Sequence, residues 1–257
     1  MESKTPQLTI IIQARFGSSR FPGKSIEKIE NKSMIWHVIN RLKQVKTPTQ
    51  IVLATTKNDE DKILLDIANE MNIFSFTGSN NDVLDRYYSC ANFFSADPII
   101  RITGDCPLID PKLIDKMIEF YQKNDFDYVS NTLKPTFPDG LDVEIFSFQT
   151  LERIRKKSNL KSEREHVTAY VKTHLNEFQT YNYTNVKDFS HYRWTVDEKE
   201  DLEFIKKIYS LTNSDSIFNF QDVLDILSKY PELTEINNGI NRDEGYLYSL
   251  ENDEKIK

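Results

Sequence analysis

The sequence predicts an α/β fold built on a mostly parallel sheet with helices on both faces. Short runs rich in isoleucine and valine alternate with amphipathic stretches through the first half of the chain. Parallel strands need a crossover connection, which is usually a helix. The alternation therefore favours a Rossmann-like sheet flanked by helices. At 257 residues the chain is long enough for one large domain, which we expect to span residues 1–257.

Each element of the first half carries its own signal. Met34, Val38 and Leu42 share one helical face, and Ser33 precedes them as a suitable N-cap. Acidic residues crowd the start of the second helix, where the helix dipole favours them, and the fourth helix begins at Pro111. The predicted strands cover residues 8–13, 50–55, 73–76 and 98–103, and the predicted helices cover residues 33–44, 58–71, 82–94 and 111–122.

The second half is less regular. Apolar runs predict strands at 128–131, 141–146 and 179–183, and amphipathic stretches predict helices at 148–157, 161–174, 198–211 and 220–229. We interpret residues 126–183 as an inserted substrate and dimer lobe within the single domain. The charged tail after Glu251 is expected to be frayed.

Composition excludes several classes of protein. The net charge is −7, so a basic face for nucleic acid is not expected. Two cysteines, Cys90 and Cys106, are too few for a disulfide framework or a zinc site and fit a reducing compartment. The first eight residues lack the apolar core of a signal peptide, and the apolar runs are too short to span a membrane. We therefore expect a cytoplasmic protein without nucleic-acid or membrane partners.

The loop after the first strand, residues 13–24, combines small residues with three cations. Ligands of parallel sheets bind at the carboxyl ends of strands, so this loop lies at the expected ligand edge. Arginine presents a planar fork to phosphate oxygens, lysine presents a compact charge, and flexible backbone brings N–H groups close to oxyanions. We predict a triphosphate site here rather than a solvent-exposed basic loop, formed by Ala14, Arg15, Gly17, Ser18, Ser19, Arg20 and Lys24.

The end of this loop imitates a P-loop. Gly23, Lys24 and Ser25 match the last three positions of G-x-x-x-x-G-K-[ST], but Gly17 lies one residue too far upstream. Residues 25–31 also do not continue as the amphipathic helix that a P-loop needs. We therefore reject the P-loop interpretation.

The same loop resembles the A-R-x-x-S-x-R-x-P-G-K signature of the sugar cytidylyltransferases, which include the enzymes that activate sialic acids and 3-deoxy-manno-octulosonate. Further segments resemble this family in the expected order, and two of them resemble its SpsF-like polysaccharide biosynthesis branch. The family segments are residues 54–56, 78–86, 103–109 and 194–197, and the branch segments are residues 139–144 and 163–168.

The resemblance implies the nucleotide-diphospho-sugar transferase type of fold, which is GT-A-like. It also implies CTP as the nucleotide, Mg²⁺ as the cofactor, a small-molecule acceptor and a homodimer. The implied reaction activates a sugar acid or a phosphorylated small metabolite to its CMP- or CDP-linked form, with release of pyrophosphate. The implied pathway is surface glycan or polysaccharide biosynthesis.

Two aspartates are the candidate metal ligands. Asp105 follows a predicted strand and Asp197 follows an aromatic stretch, and taken alone each is a turn or cap residue. Attack on an α-phosphate builds negative charge that Mg²⁺ neutralises, and Mg²⁺ is usually held by one or two carboxylates. The resemblance implies that Asp105 and Asp197 are those ligands, and that Arg15 and Lys24 act with them in catalysis.

The resemblance also implies the nucleotide base near residues 54–56 and 77–79. The residues expected there are Thr55, Gly78, Ser79, Asp82 and Arg86, although Asp82 and Arg86 also fit a surface i,i+4 pair. The acceptor is expected in the inserted lobe, where Arg164 and Arg193 could hold an anion and Asp139 and Asp142 could bind hydroxyl groups. The full predicted acceptor set is Asn131, Asp139, Asp142, Glu144, Arg164, His166 and Arg193. His166 fits a structural role as well as a catalytic one.

Two other functions remain open at this point. A GT-A-type glycosyltransferase would use a nucleotide-sugar, but it usually needs Asp-x-Asp at its metal, whereas Cys106 and Pro107 follow Asp105 here. A non-catalytic nucleotide-binding module would not need both aspartates and all three loop cations. Release of pyrophosphate and dependence on a free triphosphate discriminate among the three.

Overall fold

The computed structural model describes residues 5–18, 20–47, 49–212 and 218–256. Within these ranges a seven-stranded sheet forms the centre of the fold, and a two-stranded hairpin follows the first strand. The strands are β1 (Gln7–Gln13), β2 (Lys28–Ile29), β3 (Lys32–Ser33), β4 (Gln50–Thr56), β5 (Phe74–Gly78), β6 (Ala96–Thr103), β7 (Tyr128–Ser130), β8 (Glu144–Phe146) and β9 (Thr180–Asn182).

The sheet has the strand order β5-β4-β1-β6-β8-β7-β9. The first four strands in this order are parallel to one another, β8 is antiparallel to both of its neighbours, and β7 pairs with β9 in parallel. The mostly parallel sheet that the sequence predicts is therefore confirmed. Residues 126–183, which we predicted as an inserted lobe, place three strands in this same sheet.

Helices cover both faces of the sheet. They are α1 (Met34–Leu42), α2 (Lys62–Glu70), α3 (Val83–Phe94), α4 (Pro111–Gln122), α5 (Phe148–Lys157), α6 (Lys161–Glu165), α7 (Ala169–Thr173), α8 (Lys199–Leu211), α9 (Phe220–Lys229) and α10 (Glu244–Glu251). No helix in the described ranges combines the length and apolar character needed to cross a membrane.

Strand β1 shows why both faces are buried. Ile10 and Ile12 pack into the apolar core formed with α1, α2, α4, α8 and α9, whereas Ile11 packs into the core formed with α3, α5 and α7. Side chains alternate between the two faces of a strand, so an unbroken isoleucine run needs a cover on each side. This burial fixes the register of the central strands and, with it, the edge at which their carboxyl ends meet.

The structure corrects two sequence predictions and adds one helix. The helix predicted at 161–174 is broken into α6 and α7, because Val167 has a positive φ of 52°. The tail after Glu251 is not frayed over its described part, since the Ile256 N–H donates to the Asn159 carbonyl at 2.8 Å. Helix α10 was not predicted at all.

Candidate active site

The loop after β1 is held in place by one buried carboxylate. Asp61 accepts hydrogen bonds from the Phe16 N–H at 2.6 Å and from the Thr56 N–H at 3.2 Å. It therefore ties the loop to the carboxyl end of β4. Lys24 begins a short 3-10 turn that leads into β2 and not into a helix, which agrees with the rejection of a P-loop. Asp61 is a positioning residue that sequence reasoning missed.

The two predicted metal ligands are brought together by backbone contacts. The Val196 N–H donates to the Asp105 carbonyl at 2.9 Å, so the segment before Asp197 lies beside the loop that carries Asp105. Gly140 makes room for this segment: its φ is 103°, and a Cβ there would lie 2.5 Å from the Thr195 nitrogen. Only glycine fits such a close approach at this φ.

Lys24 lies between Asp105 and Asp197. Its Nζ donates to Asp105 Oδ2 at 2.9 Å, to Asp197 Oδ1 at 2.7 Å and to the Val196 carbonyl at 2.7 Å. Both carboxylates thus point at one buried cation. Burial opposes the Lys24 charge, but the two carboxylates outweigh it and raise its pKa. Burial likewise opposes the Asp105 charge, but Lys24 outweighs it and lowers the pKa of Asp105 to about 2.

The other two loop cations also have carboxylate partners. Arg20 Nη2 lies 2.7 Å from Asp197 Oδ2, and Arg15 Nη2 lies 4.0 Å from Glu165 Oε1. Arg15, Arg20 and Lys24 line one cleft together with Ala14 and Ser18. The structure therefore brings together three of the predicted catalytic and phosphate-binding cations. Gly17 lies in the same loop, and the predicted Ser19 lies outside the described residues.

Arg193 does not line the cleft and instead pairs with carboxylates of the protein. It was predicted to hold an anionic acceptor, but its Nε donates to Asp201 Oδ1 at 2.8 Å and its Nη1 to Asp139 Oδ2 at 3.1 Å. Asp201 also accepts from the Asp197 N–H at 2.9 Å. This buried pair therefore positions Asp197. Asp201 was missed, although its place three residues after Glu198, as in a capping box, is a signal in the sequence.

Arg164, the second predicted anion-binding residue, is also committed elsewhere. Its Nε donates to Asp82 Oδ2 at 2.8 Å, and its Nη2 lies closer still to the same atom. Asp82 caps α3 by accepting from the Asp85 N–H at 2.8 Å. Asp82 is therefore bound across the fold, and the alternative of a surface pair with Arg86 is wrong. Arg86 itself is fully buried.

The residues predicted for the base lie at the ends of β4 and β5. Arg86 Nη1 donates to the Ser79 carbonyl at 2.6 Å, and a Cβ on Gly78 would lie 2.7 Å from the Arg86 side chain. Arg86 Nε and Nη2 and the Thr55 hydroxyl are buried without a hydrogen-bond partner among the described residues. Buried donors of this kind are costly to leave unpaired, but neither Thr55 nor Arg86 lines the main cleft.

The other five predicted acceptor residues lie in three places. Asn131 holds the backbone, because its amide bonds the Leu141 carbonyl at 2.7 Å and the Val143 N–H at 2.8 Å. Asp139, Asp142 and His166 line the main cleft, which has a volume of about 950 Å³. Glu144 lines a smaller adjoining cavity.

Glu144 is the buried centre of a charge cluster. Its Oε2 lies 2.6 Å from Arg101 Nη1, and its Oε1 accepts from the Tyr128 hydroxyl at 2.8 Å and the Thr168 hydroxyl at 2.9 Å. Burial raises its pKa, but Arg101 and Lys172 outweigh burial and bring the pKa down to about 2. Arg101 and Lys172 were missed, because nothing in their local sequence marks them.

Asp105 and Asp197 fit a magnesium ion. Their carboxylates already converge on a single cation, Lys24 Nζ, and oxygen donors are what Mg²⁺ prefers. Among the described residues no group of three or more histidine, cysteine, aspartate or glutamate side chains competes as a metal site. Two carboxylates suffice for Mg²⁺ when water and substrate phosphates complete its shell.

A family model described as "Cytidylyltransferase" matches residues 9–240. The chain belongs to the cytidylyltransferase family. It is 36% identical to an uncharacterized protein of Methanocaldococcus jannaschii over an alignment of 236 residues, which covers 90% of this chain and 94% of the relative. Over 234 residues it is 30% identical to the spore coat polysaccharide biosynthesis protein SpsF of Bacillus subtilis, at 88% and 95% coverage.

The structure of a cytidylyltransferase from Leptospira borgpetersenii superposes with a TM-score of 0.88 at 34% identity, covering 93% of this chain and 100% of that one. The predicted nucleotide-diphospho-sugar transferase fold and family are therefore confirmed. In this cytidylyltransferase, 17 residues follow residue 240, where the match to the family model ends. Helix α10 lies in this continuation.

Proposed function

We propose that this enzyme transfers the cytidylyl group of CTP to a sugar acid or a phosphorylated small metabolite, with Mg²⁺ held by Asp105 and Asp197. The observation that carries the proposal is the convergence of both carboxylates on Lys24 Nζ, at 2.9 and 2.7 Å. This point lies beyond the carboxyl ends of β1 and β6, where parallel sheets bind nucleotides. Membership of the family supplies the class of reaction and the nucleotide.

In this proposal the loop cations bind the triphosphate. Arg15 and Arg20 keep partly exposed guanidinium groups at the cleft and offer paired donors to phosphate oxygens. Asp105 and Asp197 would hold the metal ion in place of the Lys24 ammonium, which would then be available to the β- and γ-phosphates. Mg²⁺, when bound, supplies positive charge to the phosphates. Catalysis then consists mainly of positioning and electrostatic stabilisation.

The proposed reaction is a single displacement at phosphorus. A lone pair on an acceptor oxygen forms a new bond to the α-phosphorus of CTP. The bond from that phosphorus to the bridging oxygen breaks, and its electrons leave with pyrophosphate, whose charge Lys24 and Arg20 stabilise. An acceptor oxyanion needs no base, whereas an acceptor hydroxyl releases its proton to water in the cleft.

The base is proposed to occupy the corner at Thr55 and Arg86. The unpaired donors there are Arg86 Nε and Nη2 and the Thr55 hydroxyl. Cytosine presents a carbonyl oxygen and a ring nitrogen, both of which accept hydrogen bonds. This match supports a pyrimidine base at this edge of the sheet, which would have to reach these donors from the cleft, since neither Thr55 nor Arg86 lines it.

The pathway and the cellular setting are proposed from the comparisons and the sequence. SpsF, the named relative, is a polysaccharide biosynthesis protein, and this supports a role in surface glycan biosynthesis. We propose a cytoplasmic homodimer, for which the sequence resemblance is the support. Light scattering coupled to size-exclusion chromatography tests the dimer directly.

Thermal shift against CTP, UTP, ATP and GTP, each with and without Mg²⁺, tests the nucleotide. A ligand that binds the native state raises the melting temperature by mass action. We expect the largest increase with CTP and Mg²⁺, and a smaller one for the Arg86→Lys variant, which keeps the charge but loses the planar donors. A response to a nucleotide-sugar but to no free triphosphate would instead favour the glycosyltransferase.

A further inference from the structure

The segment at residues 242–256, called here the C-terminal segment, lies along the cleft. At its start, Arg242 Nη2 lies 2.6 Å from Asp142 Oδ1. Further on, the Ser249 hydroxyl lies 2.9 Å from His166 Nε2. At its end, Asp253 accepts from the Ser162 N–H at 3.0 Å. The segment is therefore held at several points along the cleft wall, and it follows the part of the chain that the family model matches.

Burial of apolar side chains does not account for this position. Helix α10 contains no buried residue, and its large side chains Leu247 and Tyr248 are 51% and 68% exposed. Polar contacts with the cleft wall hold the helix instead. A helix placed in this way contributes little to the core, so its residues are free to serve a ligand.

Tyr246 is the residue of α10 that lines both the main cleft and the small cavity. Its ring meets the His166 ring edge-on, with centroids 5.0 Å apart, and Lys172 Nζ lies 5.9 Å from its centroid. Burial lowers the pKa of His166 to about 4, so its imidazole is neutral near pH 7 and can both donate and accept.

The small cavity has a volume of about 140 Å³ and adjoins the cleft. Its cations are already paired: Arg101 lies 2.6 Å from Glu144, and Lys172 lies 3.8 Å from the same carboxylate. Asp142 at its wall is paired with Arg242. An anionic ligand group that entered this cavity would therefore have to displace the Glu144 carboxylate from Arg101 or Lys172.

Apart from these ion pairs, the polar side chains that line the cavity suit hydroxyl or amino groups, although His166 Nε2 also contacts the Ser249 hydroxyl and Asp243 lies 3.9 Å from Arg242 Nε. The side chains of Thr103, Thr132, His166, Asp243 and Tyr246 line it. Together they provide hydroxyls, a neutral imidazole and a carboxylate that is 52% exposed, which can accept from and donate to sugar hydroxyls.

We propose that the C-terminal segment forms one wall of the acceptor subsite, with Tyr246 as a specificity-determining residue. The small cavity takes the end of the acceptor that is far from the attacking oxygen. That end carries hydroxyl groups and is uncharged or bears an amino group, and the cavity excludes an anionic group there. The inference rests on the proposed function, because the attacking end of the acceptor must face Asp105 and Asp197.

Pyrophosphate release with CTP and Mg²⁺ tests the inference. The probes are N-acetylneuraminate, 3-deoxy-manno-octulosonate and the 8-phosphate of the latter, which differs only by an anion at the far end. We expect turnover of at least one hydroxylated acid and at least tenfold lower kcat/KM for the 8-phosphate than for its parent. Tyr246→Ala should raise the acceptor KM about tenfold, the equivalent of a lost hydrogen bond and ring contact, with kcat within about twofold.

Leu247→Ala on the same helix is the matched control and should leave the acceptor KM unchanged. Tyr246→Phe separates the hydroxyl from the ring. Equal use of the 8-phosphate and its parent, or an unchanged acceptor KM in Tyr246→Ala, would overturn the inference. So would stabilisation by CTP with Mg²⁺ without turnover of any probe. Absence of stabilisation by CTP would instead contradict the proposed function.

Discussion

Replacing Lys24 by methionine tests whether the two aspartates form a cation site. The substitution keeps an apolar side chain of similar length but removes the charge that Asp105 and Asp197 share at 2.9 and 2.7 Å. Asp105 then has no cationic partner among the described residues, whereas Asp197 keeps Arg20 Nη2 at 2.7 Å. We expect the variant to be unstable without metal and to be rescued by Mg²⁺.

The size of the effect follows from burial. Removing one partner of a buried ion pair costs about 3–5 kcal/mol, and the side chains of Asp105 and Asp197 keep 26% and 21% exposure, so we expect a loss of about 3 kcal/mol. For a domain of this size that corresponds to a fall in melting temperature of roughly 6–12 °C. Mg²⁺ at 100 times its Kd would restore about 2.7 kcal/mol.

The assay is thermal unfolding of the wild type and of Lys24→Met, in EDTA and over a series of Mg²⁺ concentrations without nucleotide. Lys123→Met is the control, because Lys123 pairs with Glu119 at the exposed end of α4, and its loss should change stability little in either buffer. We expect Mg²⁺ to stabilise Lys24→Met far more than the wild type. If Mg²⁺ stabilises both proteins equally, the two carboxylates do not share a cation site and the metal assignment is wrong.

Three further predictions concern the same region. Asp105→Asn or Asp197→Asn should lower kcat at least about 100-fold, because the metal charge at the phosphates is lost, while the circular dichroism spectrum stays native. Near-normal pyrophosphate release at low Mg²⁺ would exclude both residues as metal ligands. The pKa of Glu144 in the folded state is about 2, below its usual 4.5, because Arg101 outweighs burial. The ionised carboxylate therefore stabilises the folded protein above pH 4.5, and this stabilisation is lost as the pH falls towards 2. Urea unfolding should show wild type and Glu144→Gln about 3 kcal/mol apart at pH 6 and converging near pH 2–3; a gap that does not change with pH refutes this. His166, with a pKa lowered to about 4 by burial, should show no imidazole titration between pH 5.5 and 8 by NMR, and a midpoint near 6.5 would contradict its burial.

The central sheet and the edge that carries the site could be predicted from sequence, because both follow from local signals. An isoleucine run buried on both faces specifies a parallel strand, and the loop cations follow that strand directly. Asp105 follows β6, the neighbour of β1, so its approach to the loop is fixed by strand order. The position of Lys24 between the aspartates was not predicted, since it depends on the packing of three segments.

The misses have separate physical causes. Val167 adopts a left-handed conformation that β-branched residues avoid, so no propensity argument could place a helix break there. Helix α10 buries no apolar stripe and contains Gly245, so periodicity does not reveal it. Arg164 and Arg193 were assigned to an anion from their charge alone. The actual partner of Arg164 is Asp82, which is distant in sequence, and that of Arg193 is Asp201, whose capping-box position does not by itself indicate an arginine partner.

The charged side chains of the site pair with one another, and we expect ligand binding to replace these partners with charges of the ligand. Before ligand binds, Arg15, Arg20 and Lys24 each have a carboxylate within 4.0 Å. Burying a bare cation costs far more than burying a paired one, so the pairs of the buried Lys24 stabilise the empty cleft, whereas the partly exposed pairs of Arg15 and Arg20 contribute less. A triphosphate with its metal brings both signs of charge, and each protein group then gains a new partner as it loses the old one. CTP without metal would take the loop cations, leaving Asp105 without a cation and Asp197 with Arg193 Nη2 alone, at 3.5 Å. Nucleotide and metal should therefore stabilise the enzyme more together than the sum of their separate effects.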